Sequence, residues 1–214
     1  MRSVSTLLII SFLFIFTGCS NDNGTDSGGN TIMPLKIGLK WTGKQYYYAV
    51  DGTTITEEND YDYQIYDTVR ISKELYYKVR ILLNDIPVDS SRSFINRDDG
   101  LYERIDFGGS KFHESHFAKY PTFKGERYYI GHTGYVDTTV LYDFADITDI
   151  DRSTIVPGGE FFCNVYKWEP VVATNADIVY VYMSPNFGFV KKEIYNQDPY
   201  YLKEKWELEN MFAN

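Results

Sequence analysis

The sequence predicts a mainly β fold: a single curved antiparallel sheet, a half-barrel or open barrel, with few short helices. Three observations predict it. Apolar residues recur with a period of two in short runs, which is strand spacing and not helix spacing. Turn chemistry punctuates those runs at Asp51-Gly52, Arg97-Asp98-Asp99-Gly100, Pro157-Gly158-Gly159 and Ser184-Pro185-Asn186. Twenty Tyr and fourteen Phe load the chain with residues that favour strands.

The clearest pattern lies in residues 155–194. Phe161, Cys163 and Val165 point one way, and Phe162, Asn164, Tyr166 and Trp168 the other. After a break, Ile178, Tyr180 and Tyr182 alternate with Val179, Val181 and Met183. Pro185 cannot donate to a ladder and belongs at the turn that follows. Residues 187–195 then return as a partner strand. Apolar side chains on both faces mean a strand covered on both sides, or one whose second face lines a cavity. Tyr180, Tyr182, Phe162, Tyr166 and Trp168 are therefore the candidate ligand-binding residues.

The other elements follow from the same alternation. Residues 41–50 form a first strand, and 53–71 either one long strand or a pair broken at the acidic stretch 57–62, with Asp67 interrupting the alternation. Residues 74–83 put Leu75, Tyr77, Val79, Ile81 and Leu83 inward, with Lys78 and Arg80 outward. A loop is expected at 84–91, then strands at 93–96 and 101–107 around the Asp98-Asp99 turn. Residues 108–123 read as irregular, covering one end of the sheet. Strands follow at 126–131 and 136–144, separated by a turn at Thr133-Gly134. Residues 146–154 read as an acidic loop. A last strand spans 200–212, its apolar alternation broken at Glu204 and Asn210.

Val156, Pro157, Gly158, Gly159 and Phe161 form a V-P-small-G-x-F turn and strand. Tyr182, Pro185, Gly188, Val190 and Lys191 continue it as Y-x-x-P-x-x-G-x-V-K. This pair of motifs resembles the C-terminal signature of a family of secreted lipoproteins of Gram-negative, Bacteroidetes-like bacteria. Phe189 stands where the usual form has Gly. The opening PLKIGLKW at 34–41 is similar to that family's start, and Trp206-Glu207-Leu208 to its last strand. The resemblance implies a half-barrel like that of periplasmic lipoprotein carriers, and it brings no catalytic residues.

Residues 1–18 read as a lipoprotein signal peptide, with Arg2 ahead of an apolar run too short to span a bilayer. The run ends in Phe16-Thr17-Gly18-Cys19, which resembles a lipobox with Phe16 where Leu is usual. Cys19 is the expected lipidation site. Ser20 after it resembles lipoproteins sorted to the outer membrane. Residues 19–33 are then the lipidated Cys and a polar tether, and 34–214 a single antiparallel β domain.

A formal net charge of −9 repels phosphate backbones, so no nucleic-acid partner is expected. Cys163 is the one thiol besides Cys19 and reads as a small core residue. His113 and His116, with His132 downstream, do not make a metal-binding helix pattern, and no metal site is assigned. Asp146, Asp149 and Asp151 lack the spacing of a calcium loop. There is no nucleophile elbow, phosphate loop or dinucleotide fingerprint. The expected role is that of a non-catalytic, membrane-anchored periplasmic or outer-membrane lipoprotein, without cofactor, binding a lipid or acyl chain on a concave aromatic face. The alternatives are a structural or protein-interaction lipoprotein with a solid core, and a surface glycan binder using exposed Tyr and Trp. Its partners would be the membrane, through the N-terminal lipid, and an apolar small molecule or a protein.

Overall fold

The computed structural model describes residues 31–108, 111–135, 138–169 and 177–213, with 132–135 and 138–143 by backbone alone. The signal peptide, Cys19, the tether up to residue 30 and the side chain of His132 lie outside the described residues. Twelve strands and no helix occur among those described. In the first half these are β1 (Leu39–Tyr48), β2 (Ile55–Ile71), β3 (Glu74–Leu83), β4 (Ile86–Arg97), β5 (Gly100–Asp106) and β6 (Phe112–Lys119). In the second half they are β7 (Arg127–Tyr135), β8 (Thr138–Val156), β9 (Gly159–Trp168), β10 (Ile178–Ser184), β11 (Gly188–Gln197) and β12 (Tyr200–Ala213).

All twelve belong to one antiparallel sheet in the order β6-β5-β4-β3-β2-β1-β12-β11-β10-β9-β8-β7. The first and last strands pair at its centre, and the sheet curls until β6 and β7 lie side by side. The result is a nearly closed barrel whose seam carries no ladder among the described residues. Unpaired edge carbonyls are costly when buried and invite foreign strands when exposed. Here tyrosine hydroxyls take them: Tyr128 Oη donates to Phe117 O at 3.0 Å and Tyr166 Oη to Lys119 O at 2.8 Å. Lys119 and Glu126 form an ion pair beside them.

Thr133 and Gly134, expected as a turn, lie within β7, and three segments expected outside strands are strand. Residues 86–97 are strand, with the turn confined to Asn84 and Asp85, both at positive φ. Residues 112–119 form β6, and the acidic stretch 146–154 lies within β8. In each, polar residues interrupt the apolar alternation that would reveal the strand, Ser93 and Ser115 among them although both are buried. Asp146 and Asp149 are held there by Arg127 and Lys124. The final strand is as expected, and the interruption at Asp67 coincides with a break in the β2–β3 register between Ile65 and Asp67.

One end of the barrel is filled by the chain itself. Ile32 and Met33, placed in the tether by sequence, are 1% and 0% exposed and belong to the core. Asn96 Nδ2 donates to Met33 O at 2.8 Å, and Asn186 N to Thr31 O at 2.7 Å. Met33 packs over Gly188, where φ is +94° and an added Cβ would lie 2.9 Å from Met33 Cγ. A chain begun at Pro34 should therefore be less stable than one begun at Thr31 by at least about 3 kcal/mol, the scale for emptying an Ile or Met site. The urea midpoint should fall while the slope stays nearly constant. Equal midpoints would show that the plug contributes nothing.

Candidate ligand-binding interior

Side chains alternate across each strand, so the register decides which residues face in. Val181 lies opposite Tyr166 and Lys192, and Val179 opposite Trp168. Trp168 meets the ring of Phe117 at 5.0 Å. Phe117 in turn meets Phe94 and Phe189, at 5.6 Å and 5.5 Å. Phe189 is the hub of this cluster. It stacks on Tyr63 at 5.0 Å with 15° between planes, and touches Trp41 and Phe94 edge-on. Tyr63 also meets Trp206 and Tyr61, both at 5.5 Å.

Beyond the rings, away from the Met33 plug, the inner face becomes polar. Arg92 shares its face with Phe94, and its guanidinium donates from Nη1 to Glu103 Oε1 at 2.6 Å and from Nε to Asp89 Oδ2 at 2.8 Å. Lys192 Nζ lies 3.3 Å from Glu204 Oε1. Glu103 is only 4% exposed, and its charge is the main cause holding the Arg92 guanidinium protonated. Gln45 is buried, and its Oε1 has no hydrogen-bond partner among the described residues. A buried acceptor left in this way calls for water or a ligand.

Tyr63 is only partly buried. It is packed among three rings, and burial pushes its hydroxyl pKa well up. Yet the residue keeps accessible surface, as do Tyr61, Trp168, Arg92 and Lys192 on the same inner face.

The structure divides the five sequence candidates. Tyr166 and Trp168 face inward, Tyr166 fully buried with its hydroxyl committed to the seam and Trp168 half-buried among the rings. Tyr180 and Tyr182 lie on the other face of the sheet, Tyr182 buried and Tyr180 partly so, opposite Lys167 and Val165 on one side and Glu193 and Lys191 on the other. Tyr182 Oη donates to Glu193 at 2.8 Å, while Tyr180 packs on Tyr195. Phe162 stands exposed near the β8–β9 turn. Of the five, Trp168 alone combines an inward position with accessible surface. Tyr61, Tyr63, Phe189, Arg92, Glu103, Lys192 and Glu204 were not singled out by sequence. One sign was available: Glu204 breaks an apolar alternation at an inward position.

The remaining candidates separate as well. His113 and His116 lie on opposite faces of β6, and His116 stacks on Tyr102 at 4.4 Å with its Nε2 3.0 Å from Asp99 O. Burial lowers the His116 pKa. Cys163 is fully buried, and burial pushes its thiol up to about 11, as expected for a core residue. Trp41 and Trp206 are 0% and 3% exposed and Trp168 faces in, which removes tryptophan from any outer glycan surface.

No family model and no curated protein matches the chain. Among solved structures, a protein of Parabacteroides distasonis described as a lipoprotein is similar with TM-score 0.50 and 14% identity, over 86% of this chain and 99% of its own. A protein of Bacteroides fragilis described as exported, with a YmcC-like fold, gives TM-score 0.47 and 16% identity, over 86% of this chain and all of its own. At these identities the likeness is one of fold.

Proposed function

We propose that this chain is a non-catalytic cell-envelope lipoprotein, held in the outer membrane by acyl groups on Cys19, whose barrel binds the apolar part of an amphipathic ligand. The observation that carries the reading is Tyr63, enclosed by rings yet accessible. The descriptions of the two similar structures, as lipoprotein and as exported protein, agree with an envelope location.

The charges narrow the ligand. Two cations, Arg92 and Lys192, face three carboxylates, Asp89, Glu103 and Glu204, so a free anionic head would not be favoured. The rings suit an acyl chain or similar apolar group, and the polar half suits an uncharged or zwitterionic head. The neutral apolar dye N-phenyl-1-naphthylamine should therefore bind saturably at one site, with energy transfer from the interior tryptophans. A dye-labelled fatty acid should bind more weakly. Trp168→Phe should weaken transfer without unfolding the chain. Absence of saturable binding would leave the solid-core structural role in its place.

A further inference from the structure

The strand order sorts the turns to two ends. The turns at 72–73, 98–99, 120–126, 157–158 and 185–187 lie at one end, together with Thr31, where the described chain begins. The turns at 49–54, 84–85 and 198–199 lie at the other.

The Thr31 end exposes large apolar side chains. Ile155 is 76% exposed, Phe123 62%, Phe162 60%, Ile37 50% and Phe212 49%. Ile155 and Phe162 share one face of the β8–β9 hairpin, because Ile155 pairs with Glu160 and Ser153 with Phe162. The opposite face of that hairpin is buried at Thr154 and Val156, and its tip is fixed by Gly158 N donating to Leu208 O at 2.9 Å. The exposed pair thus sits on a hairpin held in place.

From these positions we propose that this end of the barrel docks on the surface of a lipid bilayer, with the polar half of the interior opening away from the membrane. The length of chain outside the structure decides which end meets the bilayer. Some twelve residues separate Cys19 from Thr31. A stretch of that length reaches at most about 40 Å even when fully extended. An anchor on Cys19 therefore holds the Thr31 end beside the headgroups at millimolar effective concentration. Exposed Phe and Ile side chains at an anchored end partition into the interfacial region. Lys36 and Lys73 share that end with Asp98, Asp99 and Glu160, so apolar insertion and not charge is the attraction. The far end also exposes apolar groups, Val50, Ile86 and Val88 among them, but Thr31, where the described chain begins, lies at the other end.

This rests on attachment through Cys19, and the test supplies that attachment chemically, so that it does not depend on acylation in cells. The mature chain is coupled through its Cys19 thiol to maleimide-bearing lipid in phosphatidylcholine–phosphatidylethanolamine vesicles containing brominated acyl chains. Cys163 is buried and does not compete. Phe162→Trp at the docked end should lose emission to bromine quenching, and Val88→Trp at the far end should keep it. Ile155→Trp, on the same hairpin face, repeats the first measurement at a second exposed site. Equal quenching at both ends, quenching at Val88→Trp alone, or no quenching at either Phe162→Trp or Ile155→Trp would overturn the proposal. Dye binding to the untethered barrel is unaffected by any of these outcomes.

Discussion

Gly43→Ala is expected to lower the melting temperature by about 10 °C, the shift that a cost of roughly 3 kcal/mol produces in a chain of this size. The reason lies in how β1 and β12 share Trp206. Gly43 pairs with Leu208, and the Trp206 ring lies against the glycine. Its Nε1 reaches over β1 to donate to Tyr61 O on β2 at 2.7 Å. The β1–β2 pairing passes from Trp41–Tyr63 to Lys44–Asp60, so Tyr61 O has no ladder partner there. An added Cβ would lie 2.6 Å from Trp206 Cε2 and press on the Glu207 carbonyl. The ring must move, leaving Tyr61 O without its donor and Tyr63 without its edge contact. Trp206→Phe tests the second half of this account, because it keeps apolar bulk but orphans the carbonyl, at about 1–3 kcal/mol. The double variant should cost less than the two single losses added together, since both act through one ring. Strict additivity, or a Gly43→Ala protein that melts with the parent, would refute the coupling.

The same residues show what the sequence made legible. Strand alternation and turn chemistry were enough for an antiparallel all-β barrel, because both are local. On β3 the period holds at Val79 and Ile81, which are buried, and at Tyr77, which packs against the core, but Leu75 is 37% exposed and Tyr76, on the other face, is buried in its place. The interior site was not legible, for two physical reasons. Its rings come from β1, β2, β4, β6, β9, β11 and β12, and only the closure of the sheet brings them together. Its charges, Arg92, Glu103, Lys192 and Glu204, sit on strands where a charged residue ordinarily marks the solvent face. Glu204 between Leu202 and Trp206 was the exception that pointed inward. The plug was missed because Ile32 and Met33 follow a polar tether and carry no strand period.

Alkaline pH is expected to unfold the protein cooperatively, starting near pH 10. Eleven tyrosines have pKa values raised above 10, and burial is the leading cause at every one. A group whose folded pKa lies above its unfolded value binds more protons in the folded state. Its contribution to stability is complete below the unfolded value and disappears as pH rises toward the folded one. The window therefore opens near pH 10 and extends upward, and Cys163 adds to it from pH 9 to about 11. Tyr76, Tyr128, Tyr166 and Tyr182 are at most 6% exposed, so solvent screens them little. Each costs about 1.4 kcal/mol per pH unit once the unfolded phenol is ionised. Four together approach the whole stability of an ordinary domain within one to two units. Tyr128 and Tyr166 also close the β6–β7 seam through their hydroxyls, so ionising either one removes a donor from that unladdered seam. Tyrosinate absorbance at 295 nm should rise together with loss of the far-ultraviolet circular dichroism of the sheet. Ionisation of most tyrosines near pH 10 with the dichroism intact would show that the rings are open to water and the barrel is not built around them.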